Sequence, residues 1–158
     1  MHGGKKYHKG DVSLAAPNSK AVEAANRENP EDAEWRKWRK QAATHDDIYY
    51  FSVHLSDVLV GELFLHDINL SSEEALLGYR IFSRSNRGRG IGRKALHLLQ
   101  DFVENETTLK RLVIITAEEN LPSRRIAEHC GFELVGPAWE DPQMVVYEWK
   151  PPQANLIG

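Results

Sequence analysis

Cysteine is nearly absent. Cys130 is the single one in 158 residues, which excludes an internal disulfide framework and leaves too few thiolates for a zinc site made of cysteines alone. No apolar stretch approaches the roughly 18 residues that a membrane-crossing helix requires, and Met1 to Gly10 is polar, without the apolar core of a secretory signal. A cytoplasmic address with no membrane partner is therefore expected. An excess of positive charge is missing too. Twenty Lys and Arg against 23 Asp and Glu leave a net charge of −3, which argues against a dedicated nucleic-acid-binding domain. With 41% apolar, 27% charged and 9% aromatic residues, the chain has the composition of an ordinary folded protein. Its length suits one domain able to bury a core without staples.

The elements read in order. Residues 1–11 lack periodicity and are expected to fray, apart from any docking by Tyr7. The spaced His2 and His8 make no metal site, and no metal is expected. Val12 to Ala16 reads as a short strand, and Pro17-Asn18-Ser19 offers caps for a helix carrying Ala21, Val22 and Ala25 on one face. Asn29-Pro30-Glu31-Asp32 is a helix start, with proline in the first turn and acids at the positive end of the dipole. Trp35, Trp38 and Ala42 then share a face, read as a packing stripe. Ile48 to Leu55 and Val58 to His66 are strand-like around a tight Ser56-Asp57 connection, and Ala75 to Phe82 completes a meander. Ile91, Ala95, Leu98, Leu99 and Phe102 recur with helical period. Leu112 to Thr116 is a continuous apolar strand of the kind covered on both faces. Asn120 to Cys130 is a helix closed by Gly131, and Phe132 to Val135 and Met144 to Trp149 are the last strands. One domain over residues 12–150 follows, between a flexible segment 1–11 and a tail 151–158.

One segment concentrates charge. Ser83 to Lys94, SRSNRGRGIGRK, holds Arg84, Arg87, Arg89, Arg93 and Lys94 without an acid; it is +5 within a chain of −3, which leaves −8 elsewhere. Gly88, Gly90 and Gly92 let bare backbone approach a ligand, and the helix that opens at Ile91 turns its first N–H groups and positive dipole end toward an anion. This is a phosphate cradle, to which the arginines add charge-assisted contacts. It is not a P-loop, since no Lys-Ser or Lys-Thr follows. Nor is it a dinucleotide fingerprint, because the glycines are spaced two by two. An RNA-binding reading gains little from an acidic chain with no aromatic residue in the segment.

Arg87-Gly88-Arg89-Gly90-Ile91-Gly92, read as R-x-x-G-x-G, resembles the acetyl-CoA pyrophosphate loop of the GNAT superfamily of N-acetyltransferases. Asn120-Leu121-Pro122-Ser123, Ile126-Ala127-Glu128 and Cys130-Gly131-Phe132 are similar to its second cofactor motif, N-x-x-S ending in G-F. The similarity covers about Ile48 to Lys150, and the strands GELFLHDIN and GYRI look most like the RimJ/RimL-like branch that acetylates protein N-termini. The resemblance implies an α/β (α+β) fold, with a mixed, mostly antiparallel sheet of about six to seven strands flanked by about four helices.

By position, the resemblance implies that Ile81, Phe82 and Ser83 offer main-chain groups to the pantetheine arm of acetyl-CoA, a strand-addition mode of binding. Gly88, Arg89, Gly90, Ile91, Gly92 and Arg93 would hold the pyrophosphate, and Arg87 or Arg84 the 3′-phosphate. Asn120 would bond the pantetheine arm, and Ser123 the region of the sulfur. Transfer needs a neutral amine, a stabilised oxyanion and an acid for the thiolate. Many superfamily members place a tyrosine acid where this chain has Ala127, and Ser123 is the substitute the RimL-like branch suggests. Base candidates are Glu62, on a face with Val60, Phe64 and His66, and Glu140 before the last strand; Leu76 stands where relatives often carry a carboxylate. His66 and Tyr79 are candidate proton relays. Cys130 reads as a small buried hydrophobe. Expected partners are acetyl-CoA, a primary amine acceptor (a protein N-terminus or a small molecule) and, as one option, a second copy of the chain. The alternative is a CoA-binding sensor of the same fold without catalysis.

Overall fold

The computed structural model describes residues 6–15, 19–28, 33–44 and 48–152. Among the described residues, eight strands form one sheet: β1 (Lys6–Lys9), β2 (Val12–Ala15), β3 (Tyr49–Leu55), β4 (Val58–Asn69), β5 (Glu74–Ile81), β6 (Arg111–Ala117), β7 (Glu133–Pro137) and β8 (Met144–Trp149). Their order is β1-β2-β3-β4-β5-β6-β8-β7. Four α-helices accompany them: α1 (Ser19–Glu28), α2 (Ala33–Thr44), α3 (Ile91–Glu106) and α4 (Leu121–His129). The sheet thus has one strand more than the upper expectation. The addition is β1, inside the segment expected to fray. Tyr7 anchors it, donating a 3.1 Å hydrogen bond to Glu106 and meeting Phe102 edge-on at 5.9 Å. The helix-start residues Asn29 to Asp32, the caps Pro17 and Asn18, His2, and residues 153–158 lie outside the described residues.

The β3–β4 hairpin follows from its two-residue loop. Ser56 (φ 46°) and Asp57 (φ 72°) are both left-handed, the conformation whose twist suits a tight hairpin. Further along, Val53 pairs with Gly61 but His54 with Leu59, so Val60 is the extra residue of a β-bulge. A one-residue slip moves a side chain to the other face. Val60 therefore packs with Val12 and Leu14, while Phe64 packs under Trp35 and Trp38 on the opposite side. The face expected to unite Val60 with Glu62 and Phe64 is broken here.

One side of the sheet is covered by α3, whose periodic residues Ile91, Ala95, Leu98, Leu99 and Phe102 are all buried. Full burial of such side chains contributes about 1.5–3 kcal/mol each. Phe102 also meets Tyr49 and Phe51 edge-on, at 5.4 and 4.9 Å. On the other side α1 and α2 lie over β3 and β4, with Trp35 and Trp38 against Phe64 at 5.2 and 5.7 Å. The tryptophans are packing residues, as expected. Because α1 and α2 lie over β3 and β4, Ile115 on β6 is 44% exposed. The expectation that LVIIT is covered on both faces is corrected at that residue.

All neighbouring strands are antiparallel except β5 and β6, which run parallel and pair only from Glu74–Leu76 to Arg111–Val113. Arg111 pins this short seam, donating to Glu74 on β5 at 3.0 Å and to Glu148 on β8 at 2.8 Å. Beyond Leu76 and Val113 the pairing ends, and the sheet opens.

Candidate active site

The opening between β5 and β6 continues into a groove of about 910 Å³. Its walls come from the end of β5 (Tyr79, Arg80, Ile81), the loop and start of α3 (Asn86, Arg87, Gly88, Gly90–Arg93) and the exposed side of α4 (Asn120, Pro122, Ser123, Arg125, Ile126, His129). Of the residues expected to hold acetyl-CoA, Ile81, Arg87, Gly88, Gly90, Ile91, Gly92, Arg93, Asn120 and Ser123 meet in this one place.

Local chemistry builds each wall. Gly90 caps α3 with φ 78° and no side-chain cap, so the first-turn N–H groups face the groove without an internal acceptor, next to the positive end of the dipole. Gly92 serves a different need: a Cβ there would come within 3.0 Å of Ile126 Cδ1, so its bareness lets α3 and α4 approach. Asn120 caps α4, its Oδ1 accepting from Ser123 N–H at 3.3 Å, which leaves its Nδ2 donors for the groove. At the other end of α4, Phe132 N–H donates to Ala127 O and Gly131 N–H to Glu128 O, with Gly131 at φ 82°. This is the Schellman closure that the glycine predicts.

The β5 edge sorts the main-chain candidates. Phe82 N–H donates to Val60 O at 2.9 Å and is spent on β4. Backbone groups alternate along an antiparallel strand, so those of Ile81 turn to the groove, where Ile81 O accepts from Arg87 Nε and Nη2 at 3.3 and 3.1 Å. Phe82 and Ser83 are not among the lining residues, and Ser83 Oγ pairs with Ser85 Oγ at 2.8 Å. Arg89 turns back to Asn86 Oδ1 at 3.2 Å. The side chain of Arg84 lies outside the described residues.

Glu62 and Glu140 do not line the groove either. Glu140 is exposed in the β7–β8 turn. Glu62 is fully buried, and both its oxygens are engaged by the fully buried Arg39: Nε to Oε1 at 2.7 Å and Nη2 to Oε2 at 2.5 Å. Asn26 Oδ1 accepts from Arg39 Nη1 at 3.0 Å, and Arg80 Nε stands 3.8 Å from Oε2. Burial pushes the Glu62 carboxyl above its ordinary range, while the bonds and charge of Arg39 oppose the rise. His66 is stacked on Trp38 at 4.4 Å and bonded to Asp67 at 2.6 Å. Of the two relay candidates only Tyr79 lines the groove. Cys130 is buried, as expected, its thiol pushed up to about 11 by burial.

Sequence reasoning missed Arg80, Asn86, Pro122, Arg125, Ile126 and His129 as lining residues. The signal for the α4 set is in the sequence: positions 122, 125, 126 and 129 form one helical stripe. Arg80 is held within 5.0 Å of the Trp35 ring, and burial, with Arg87 nearby, lowers its hold on its proton. Among the described residues, four arginines and no carboxylate line the groove.

Known proteins share this fold. The Bacillus subtilis (strain 168) protein named Probable N-acetyltransferase YjcK is 30% identical over 112 residues; the match covers 63% of this chain and spans 61% of that relative's length. The ribosomal-protein-S5-alanine acetyltransferase of Vibrio fischeri superposes with a TM-score of 0.77 at 17% identity, over 94% of this chain and 98% of the other. RimJ of Mycobacterium smegmatis, solved in complex with CoA-disulfide, gives 0.74 at 21%, over 88% and 81%. At these identities the two structures show a shared fold. The family model described as Acetyltransferase (GNAT) domain matches residues 8–133. That match spans most of the chain, and the chain belongs to the GNAT acetyltransferases.

Proposed function

We propose that the protein moves an acetyl group from acetyl-CoA to a primary amine, by direct attack of the amine on the thioester, and that the amine is a protein N-terminus. The observation that carries this reading is the groove itself. It joins an anion-ready helix start to a strand edge whose Ile81 N–H turns away from β4 toward the groove. In it Gly88, Gly90, Ile91, Gly92 and Arg93 face the pyrophosphate, the Ile81 N–H pairs with the pantetheine arm, Asn120 Nδ2 donates to that arm, and Ser123 stands by the sulfur. Arg125 and Arg87 supply charge for the remaining phosphate.

The choice of acceptor rests on protons. An α-amine has a pKa of about 7.7–8.0, against about 10.4 for a lysine-type amine, so near pH 8 roughly half of it is already neutral without a base. Among the described residues the groove is lined by four arginines and no carboxylate, which suits such an acceptor and repels a polycation. The reading gives neither Glu62 nor Glu140 the role of base. The same two facts, with Ala127 in place of a tyrosine, favour as second reading a CoA-binding module without turnover.

Thermal unfolding with and without acetyl-CoA is the first test. A ligand at 100 times its Kd stabilises by about 2.7 kcal/mol, which for a chain of this size raises Tm by about 5–10 °C. No shift at millimolar acetyl-CoA would overturn both readings. A shift without thiol release over a panel of peptides and small amines would leave the second.

A further inference from the structure

Ser123 does not stand alone in the groove. From β5, across 44 positions of sequence, the Tyr79 hydroxyl donates to Ser123 O at 3.0 Å and lies 3.1 Å from Ser123 Oγ. Ser123 N–H is already taken by Asn120. The residue is thus fixed at three atoms, two of them by one phenol. Ala127, one turn further along α4 and fully buried, brings no polar group of its own. Tyr79 is held neutral, its hydroxyl pushed up to about 12 by burial, so it stays a donor throughout the range in which an amine acetylation is run.

We propose that Tyr79 is the positioning residue for Ser123: its one hydroxyl hydrogen is shared between Ser123 O and Oγ, at 3.0 and 3.1 Å, and this three-centre bond leaves the serine's own hydrogen to point into the groove, toward the departing sulfur. The inference rests on the acetyl-transfer reading above. In the step concerned, the bond between the acetyl carbon and sulfur breaks with its electron pair going to sulfur. The hydrogen bond from Ser123 shares that negative charge until a proton from solvent, equal to the one the amine nitrogen has lost, neutralises the thiolate. Neither Ser123 nor Tyr79 ends the cycle changed. A hydrogen bond that strengthens as charge develops acts on kcat and not on substrate binding.

The test is a double-mutant cycle of Tyr79→Phe, Ser123→Ala and the pair, with kcat, KM for acetyl-CoA and the ligand-induced shift in Tm read for each chain. Tyr79→Phe is expected to lower kcat about 10–100-fold, the range of one hydrogen bond toward charge, with KM within threefold. In the Ser123→Ala background the same change is expected to cost less than twofold, because its only route of action is gone. Replacing Tyr79 with 4-aminophenylalanine, which keeps a donor, is expected to recover part of kcat. Equal losses in both backgrounds, or a rise in KM with kcat intact, would overturn the proposal. If Tyr79→Phe does not fold, the 4-aminophenylalanine chain takes its place in the cycle, read by the same criterion. A wild type that turns over with an additive cycle sinks this inference alone. One that neither binds acetyl-CoA nor turns over sinks the acetyl-transfer reading and this inference with it.

Discussion

Removing the Arg39 guanidinium should cost more stability than any surface change in this protein. Arg39 and Glu62 are both fully buried and joined by two hydrogen bonds of 2.7 and 2.5 Å. They tie α2 to the middle of β4, and Asn26 adds α1. Arg39→Met leaves a carboxylate in the core with Arg80 as its nearest remaining cation, 3.8 Å away. Breaking a buried pair in this way costs about 3–5 kcal/mol, a fifth or more of a typical stability of about 5–15 kcal/mol. At about 2–4 °C per kcal/mol for this chain length, Tm should fall by roughly 6–20 °C. The double variant Arg39→Met with Glu62→Leu removes both desolvation costs, and should recover most of that loss, since apolar replacement of a buried pair is often neutral or better. Urea unfolding of the two single variants and the double, closed as a cycle, measures the coupling. A loss below about 1 kcal/mol for Arg39→Met, or a double variant no more stable than the singles, would refute the reasoning. Turnover of the double variant also decides the base question: a fall of about 100-fold or more in the folded double would return Glu62 to the chemistry.

Three further outcomes are expected. Gly90→Val forces a β-branched residue to φ 78° at the head of α3; the ligand-induced Tm shift with acetyl-CoA should vanish, and calorimetric binding equal to wild type would remove the loop from the site. Asn120→Ala should lose about 0.5–2 kcal/mol of stability through its cap and also weaken acetyl-CoA binding through Nδ2; a stability loss with unchanged affinity would leave Asn120 as a cap only. Cys130, pushed up to about 11 by burial, carries on the order of one thiolate in a thousand at pH 8, so a disulfide reagent should label it only as fast as the protein unfolds. Immediate labelling of the native chain would contradict its burial.

The elements that sequence alone located are those whose causes lie within a few residues. The two left-handed positions of the Ser56-Asp57 loop, the period of Ile91 to Phe102 and the closing Gly131 are local steric and packing facts, and each element formed where they put it. The meeting of residues in the groove was legible for the same reason: a glycine loop opening a helix, and an asparagine capping another, are short-range devices that keep their geometry wherever the chain places them. The Trp35 and Trp38 stripe was read correctly too, because its period gives the face even though it does not name Phe64.

Other features depend on surfaces that meet only after folding. Glu62 looked like a solvated or reactive carboxylate on an alternating strand; Arg39, 23 positions earlier, takes both its oxygens. Val60 left its expected face through a bulge that exists only against β3. Tyr7 draws in a strand from a segment without periodicity, because Phe102 and Glu106 of α3 lie beside it. Ile115 is exposed because α1 and α2 lie over β3 and β4 and not over β6. Local propensity and periodicity thus determine which elements form and where a helix start is left bare. Burial, ion pairing and the Tyr79–Ser123 contact are set by long-range packing, because the free energy of a charge or a hydroxyl depends on what excludes water from it, and that neighbour comes from a distant part of the chain.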